Sequence, residues 1–189
     1  MGGENSETPA DVHQPVRDSE GRDWLVRTTL AIDELMAEPE SKLGRMAALW
    51  FGARQQLGGV PDRRFIDPVS FARLRLVGSV HIIDVSAEDP QDYRIKVHGT
   101  IVTQLRQRDL TGTRIGDMPN RLHAKYLAID YRTVKESGEP LYQRIEASYN
   151  FSQRDYRRLI LPVASAGSID TLVVTVQSRE TETVRGKPF

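Results

Sequence analysis

The stretch YRIKVHGTIVTQLRQRDLTGTRI, Tyr93 to Ile115, places His98 beside Gly99 and Thr100 and follows them with Gly112. A histidine next to a glycine and a hydroxyl has the composition of a catalytic or phosphate-holding loop. The wider patterns that such chemistry needs do not accompany it. GTRIG lacks the Gly-Lys-Ser/Thr of a phosphate loop, and HGT opens no Gly-x-Gly-x-x-Gly fingerprint. Asp84 or Asp130 could orient a histidine for general-base work, but the chain has no Gly-x-Ser-x-Gly elbow to supply a nucleophile. It has no His-Glu-x-x-His motif and no cysteine, so thiolate metal sites, disulfides and cysteine nucleophiles are excluded. The expectation is a protein that is not an enzyme, with no catalytic residue and no metal site.

The four histidines differ in setting. His13 lies in a polar tail. His98 alternates with Arg94 and Lys96 on what reads as the polar face of a strand, so it is expected to point away from any cavity. His81 sits in an apolar run whose alternation does not fix its side. His123 falls early on a long helix, one residue off the stripe marked by Leu122 and Tyr126.

The elements that position these residues follow from periodicity. Residues 1–22 carry five acids, two bases and almost no large apolar side chain, and read as a disordered tail. Residues 23–62 read as N-terminal helices that dock or dimerise: Asp23 to Glu38, then a second helix capped by Ser41 and stopped by Gly58-Gly59. SVHIIDVSA and YRIKVHG read as a hairpin, the second strand placing Tyr93, Ile95 and Val97 on one face. Helical spacing begins at Ile101, with Gly99 as the hinge and Gly112 in the following turn. NRLHAKYLAIDYRTVKESG is a helix capped by Asn120 and closed by Gly138, its buried face read as Leu122, Tyr126, Ile129, Thr133 and Val134. Three antiparallel strands follow, about Leu141–Tyr149, Asp155–Ala164 and Ile169–Arg179. The sum is an α+β domain over residues 63–180, with a five-stranded antiparallel sheet, helices covering one face and a flexible tail at 181–189.

Formal net charge is zero, and the basic runs RLRL and RQRDLTGTR lack interleaved aromatics, so no nucleic-acid partner is expected. No segment approaches the roughly 18 apolar residues of a membrane span. A cytoplasmic protein is the resulting expectation.

Two strands, short helices, one long helix and three strands resemble the PAS sensor fold. LWFGARQQLGGVPDRRFIDP, YRIKVHGTIVTQLRQRDLTGTRI, KESGEPLY and RLILPVASAGSIDTLV, taken in order, are similar to a compact bacterial single-PAS-domain family formerly catalogued as a domain of unknown function. The likeness covers about Leu43 to Gln177. His98 stands where that family often has an apolar residue, Gln107 where a glycine is common, and the Asp23–Glu38 segment falls outside it.

The resemblance implies a sensory or regulatory domain with a small cavity between the sheet and its covering helices. The pocket residues it points to are Ile83, Val97, Ile101, Leu105, Tyr126, Ile129 and Leu161. Haem-binding PAS domains take an axial histidine from the long helix, but the placement of His123 disfavours haem, and the ligand stays unknown. With no kinase, cyclase or DNA-binding module following the domain, output is expected in trans, through contacts with another protein of a signalling pathway. PAS domains commonly dimerise through a helix before the first strand, so a homodimer with Trp24, Leu35 and Trp50 in its interface is expected. The alternative is a PAS adaptor with a filled core that binds no ligand and serves as a scaffold subunit of a larger complex.

Overall fold

In the computed structural model, residues 15–18, 21, 23–64, 67–101, 103, 108–149 and 152–178 are described. The chain order is β1 (Val16–Arg17), β2 (Trp24–Thr29), α1 (Ile32–Met36), α2 (Lys42–Leu57), α3 (Pro68–Arg73), β3 (Val80–Asp84) and β4 (Arg94–Val97). The long helix α4 (Arg121–Ser137) and the strands β5 (Leu141–Tyr149), β6 (Ser152–Ser165) and β7 (Ser168–Ser178) complete it. Several boundaries are set by the caps read from the sequence. Ser41 Oγ accepts the Gly44 N–H at 2.9 Å, and Asn120 Oδ1 accepts that of His123 at 2.7 Å. Gly58 and Gly138 end their helices in the left-handed region, at φ 68° and 69°.

All strand pairs are antiparallel, and the sheet has seven strands in the order β1-β2-β5-β6-β7-β3-β4, not five. The two extra strands come from the tail and from the segment read as the first helix. Trp24–Thr29 is a strand laid along the outer edge of β5, with Leu25 opposite Ala147. Val26, Thr28 and Thr29 are β-branched, and Leu25 buries itself against Ile145 and Ala147. A nine-residue strand with an open edge offers a ladder that the isolated segment could not foresee. Only Ile32–Met36 keeps the helical reading. Within the 1–22 tail, Val16–Arg17 pairs with Leu25–Trp24. The 181–189 tail lies outside the described residues.

Helices cover both faces of the sheet, not one. On one face α4 packs over Ile83, Ile95, Ile160 and Val174. On the other, α1 and α2 pack Leu35, Leu43, Met46 and Trp50 over Tyr142, Leu159, Leu161 and Val163. Trp50 is 0% exposed and donates its indole N–H to Pro162 O at 2.8 Å. Leu35 is likewise fully buried. Both belong to the interior of their own chain, so neither is available to an interface. Trp24, half-buried on β2, pairs with Ser148.

Candidate functional site

A cavity of about 50 Å³ lies between α4 and the sheet. Its polar lining includes His81 from β3, His98 just past β4, His123 from α4 and Arg158 from β6, with Tyr131 and Tyr156 beside them. Ile95, Leu110, Met118, Leu127 and Val174 form apolar walls. Three of the four histidines therefore meet in one place, and all three are buried.

A β-bulge brings His98 there. Ile82 pairs with Val97 but Ile83 pairs with Ile95, so Lys96 is an extra residue in β4. Strand side chains alternate, and one inserted residue exchanges the faces beyond it. Tyr93 and Ile95 point under α4 as the alternation predicts. Past the bulge, Val97 turns outward, 49% exposed, and His98 turns inward. The sequence expectation for this pair is thus inverted.

Gly99 then crosses against β3. A Cβ there would lie 2.5 Å from Gly78 O, so the close approach admits no side chain. The Gly99 N–H donates to His81 Nδ1 at 3.2 Å, and helical residues start at Thr100. The turn that follows is built by Asp109, whose Oδ1 accepts the Thr111 N–H at 2.8 Å and its hydroxyl at 2.7 Å. It is closed by Gly112 at φ 83°. The Leu110 N–H from this turn reaches His98 Nδ1 at 3.4 Å, and Thr103 Oγ1 lies 2.9 Å from the same nitrogen. The imidazoles of His81 and His98 are neighbours, with centroids 4.9 Å apart. With the Gly99 N–H donating to its Nδ1, a neutral His81 ring carries its proton on Nε2, whereas the contacts of His98 Nδ1 are compatible with either tautomer.

Arg158 is 3% exposed and stands at an inward position of β6, two residues before Ile160. Its Nη2 donates to Asp130 Oδ2 and, at 2.5 Å, to Gln143 Oε1. Asp130 Oδ1 is bonded by Arg27 Nη1, and the Arg27 guanidinium lies over the Tyr126 ring at 4.2 Å. Burial disfavours the charged guanidinium of Arg158, but the Asp130 carboxylate and the Tyr156 and Tyr131 hydroxyls outweigh it and hold its pKa above the usual arginine range. Arg158 Nε has no hydrogen-bond partner among the described residues.

The residues expected to line the pocket separate. Ile83 is buried on the correct face, in the core under α4. Leu161 is buried on the opposite face, under α2. Val97 faces an open groove of about 710 Å³ on that same opposite side, beside Phe71, Ile82 and the Lys96–Asp84 ion pair. Ile101 is half-buried, near Gly78 at the edge of the hairpin. Leu105 lies outside the described residues. Ile129 is 44% exposed, and Tyr126 packs beside Leu25 and Ile145.

The buried face of α4 is His123, Ala124, Leu127, Ala128, Asp130, Tyr131 and Val134. It is rotated by about one residue from the stripe read in the sequence, which puts His123 on the buried face after all. Among the described residues, no cluster of three or more histidine, cysteine or acidic side chains is placed to hold a metal.

Sequence reasoning missed Arg158, the pairing of Asp130 with two arginines rather than a histidine, and the meeting of the histidines. A signal for Arg158 was present: RLILPV alternates, and its arginine shares the face of Ile160.

Two strands, helical turns, one long helix and three strands, with β7 seated between β3 and β6, make this an α+β fold on an antiparallel sheet. The chain is similar to the PAS domain of BvgS from Bordetella pertussis, at 13% identity and TM-score 0.42, over 62% of this chain and 91% of that one. It is also similar to an RNA-binding light-oxygen-voltage receptor, at 12% identity and TM-score 0.43, over 82% of this chain and 54% of that one, about half its length. No protein-family model and no curated protein sequence matches it. Among the described residues no helix is long and apolar enough to cross a membrane.

Proposed function

We propose that this protein is a non-enzymatic PAS-type sensory or regulatory module that works in the cytoplasm, binds a small ligand beneath α4 and signals in trans through protein contacts. The observation that carries the reading is the cavity itself. Three histidines and an arginine, from β3, the turn after β4, α4 and β6, converge with Tyr131 and Tyr156 on one hollow against the apolar core. Burying them there costs stability, and a filled apolar core would not need them. A ligand that prefers one packing of α4 on the sheet shifts the population of that packing, and a partner reads the change.

Native mass spectrometry of the purified full chain tests this. A stoichiometric small molecule, lost on denaturation, is the expected result. A bare chain mass that no added small molecule changes would overturn it.

The cavity size favours a second reading, an adaptor with a closed core. Its 50 Å³ is well below the ~300–1,000 Å³ of ordinary ligand sites. A homodimer remains part of the proposal, formed through surfaces other than Leu35 and Trp50. Light scattering on the concentrated full chain gives twice the chain mass if it holds.

A further inference from the structure

We infer that the cavity beneath α4 is a binding site for a small anion, a carboxylate or oxoanion of three or four heavy atoms, received by Arg158. This deepens the sensory reading and rests on it. Three observations on different elements converge.

The first is charge. Two guanidinium groups, the buried Arg158 and the partly exposed Arg27, share the carboxylate of Asp130. A buried cation that shares its counter-charge attracts a second anion.

The second is the unsatisfied donor. Arg158 is buried, its Nη2 is engaged by Asp130 and Gln143, and its Nε is left without a partner among the described residues while the side chain lines the cavity. An N–H in that position costs stability until an acceptor reaches it, and a charged acceptor makes the stronger bond. A neutral apolar ligand would leave the cost in place, and a cation would add to it.

The third is the lining. His81 accepts the Gly99 N–H at Nδ1, so its remaining ring proton is a donor on Nε2, and the His98 ring lies beside it with centroids 4.9 Å apart. With His123, the imidazoles ring the cavity that Arg158 enters. The 50 Å³ has room for roughly three or four waters, or a ligand of as many heavy atoms. Formate, nitrate and acetate fit this class.

The experiment uses the full chain with labelled arginine side chains, followed by nuclear magnetic resonance while sodium formate, acetate or nitrate is added at constant ionic strength. Arg158→Lys, which keeps the charge and removes Nε, assigns the Arg158 Nε–H signal. The expected result is a saturable shift of that one signal, with a Kd of about 1 mM or tighter. Acetamide, the neutral counterpart of acetate, should leave it unmoved. Calorimetry should find acetate bound at least tenfold more weakly by R158K. If R158K does not fold, His123→Gln serves as the second variant, expected to weaken acetate binding severalfold, and the wild-type titration still decides. Equal response to acetate and acetamide overturns the inference, as does the absence of any saturable response to the three anions. If neutral compounds bind saturably and anions do not, the ligand class is wrong and the sensory reading stands. If nothing binds and the chain is bare by native mass spectrometry, both fall together.

Discussion

Asp130 is the residue on which the interior electrostatics turn. Its two oxygens are taken by Arg27 and Arg158, from β2 and β6, while Asp130 itself rides on α4. Removing the carboxylate leaves Arg158 buried without a counter-charge. Asp130→Ala should therefore lower stability by about 3–5 kcal/mol, as breaking one side of a buried ion pair does. Replacing both partners with apolar groups of similar size, Asp130→Leu with Arg158→Met, should cost much less, because no charge is then stranded. Urea denaturation of the two variants compares them, and equal losses would mean that packing rather than charge sets the cost. A different carboxylate, Asp84, answers to pH. Burial raises its pKa, but hydrogen bonds from Ser86 and Lys96 outweigh this and hold it at about 2, below the ordinary 3.8. The charged form is thus favoured by folding. Its contribution is complete above the unfolded value and is lost as pH falls through the folded one. Asp84→Asn should destabilise by about 1 kcal/mol at neutral pH once solvent screening is allowed for. The gap to wild type should narrow below pH 3.8 and close near 2, measured by thermal melts across that range.

At the scale of elements, helix α2 makes the clearest prediction. Trp50 fills the space over Leu159, Leu161 and Val163, and its N–H holds Pro162 O. Trp50→Ala should cost about 3–5 kcal/mol. Because the contact is within one chain, the loss should not vary with protein concentration, which chemical denaturation at two concentrations checks. Much of this layer was legible beforehand: the Ser41 and Asn120 caps, the Gly58 and Gly138 stops, and the alternation of β6. What was not legible has two physical sources. The first is the Lys96 bulge, which a period-two reading of YRIKVHG cannot contain and which exchanges Val97 with His98. The second is α4, where Leu122, Tyr126 and Ile129 fit a helical stripe as well as Leu127, Tyr131 and Val134 do. Asp130 argued against the true stripe until its two arginine partners, distant in sequence, were known. Trp24–Thr29 failed for a related reason, since its strand exists only against β5.

For the whole molecule, the sheet carries two cores back to back. Ile160 faces α4 while Leu159 and Leu161 face α2, so one strand, β6, serves both. The helices before a boundary at residue 62, expected to dock or dimerise, dock on the sheet and complete one of these cores. Leu35, Leu43, Met46, Ala47 and Trp50 all lie before that boundary, and all are fully buried against residues beyond it. A chain starting at residue 63 would expose Tyr142, Leu159, Leu161, Val163 and Val173 as one continuous apolar face. It would also lose β2, whose Arg27 shares Asp130 with Arg158. A patch of that kind is an aggregation surface in a soluble protein. The shortened chain should associate without limit in light scattering and lack a cooperative urea transition, while the full chain unfolds in a single step monitored by tryptophan fluorescence and by circular dichroism. A monomeric, cooperatively folding 63–189 fragment would show that the two faces are independent. Coincident transitions in the full chain would instead mean that α2, the sheet and α4 rise and fall together. A ligand beneath α4 could then be felt on the far face of the sheet through the strand the two cores share.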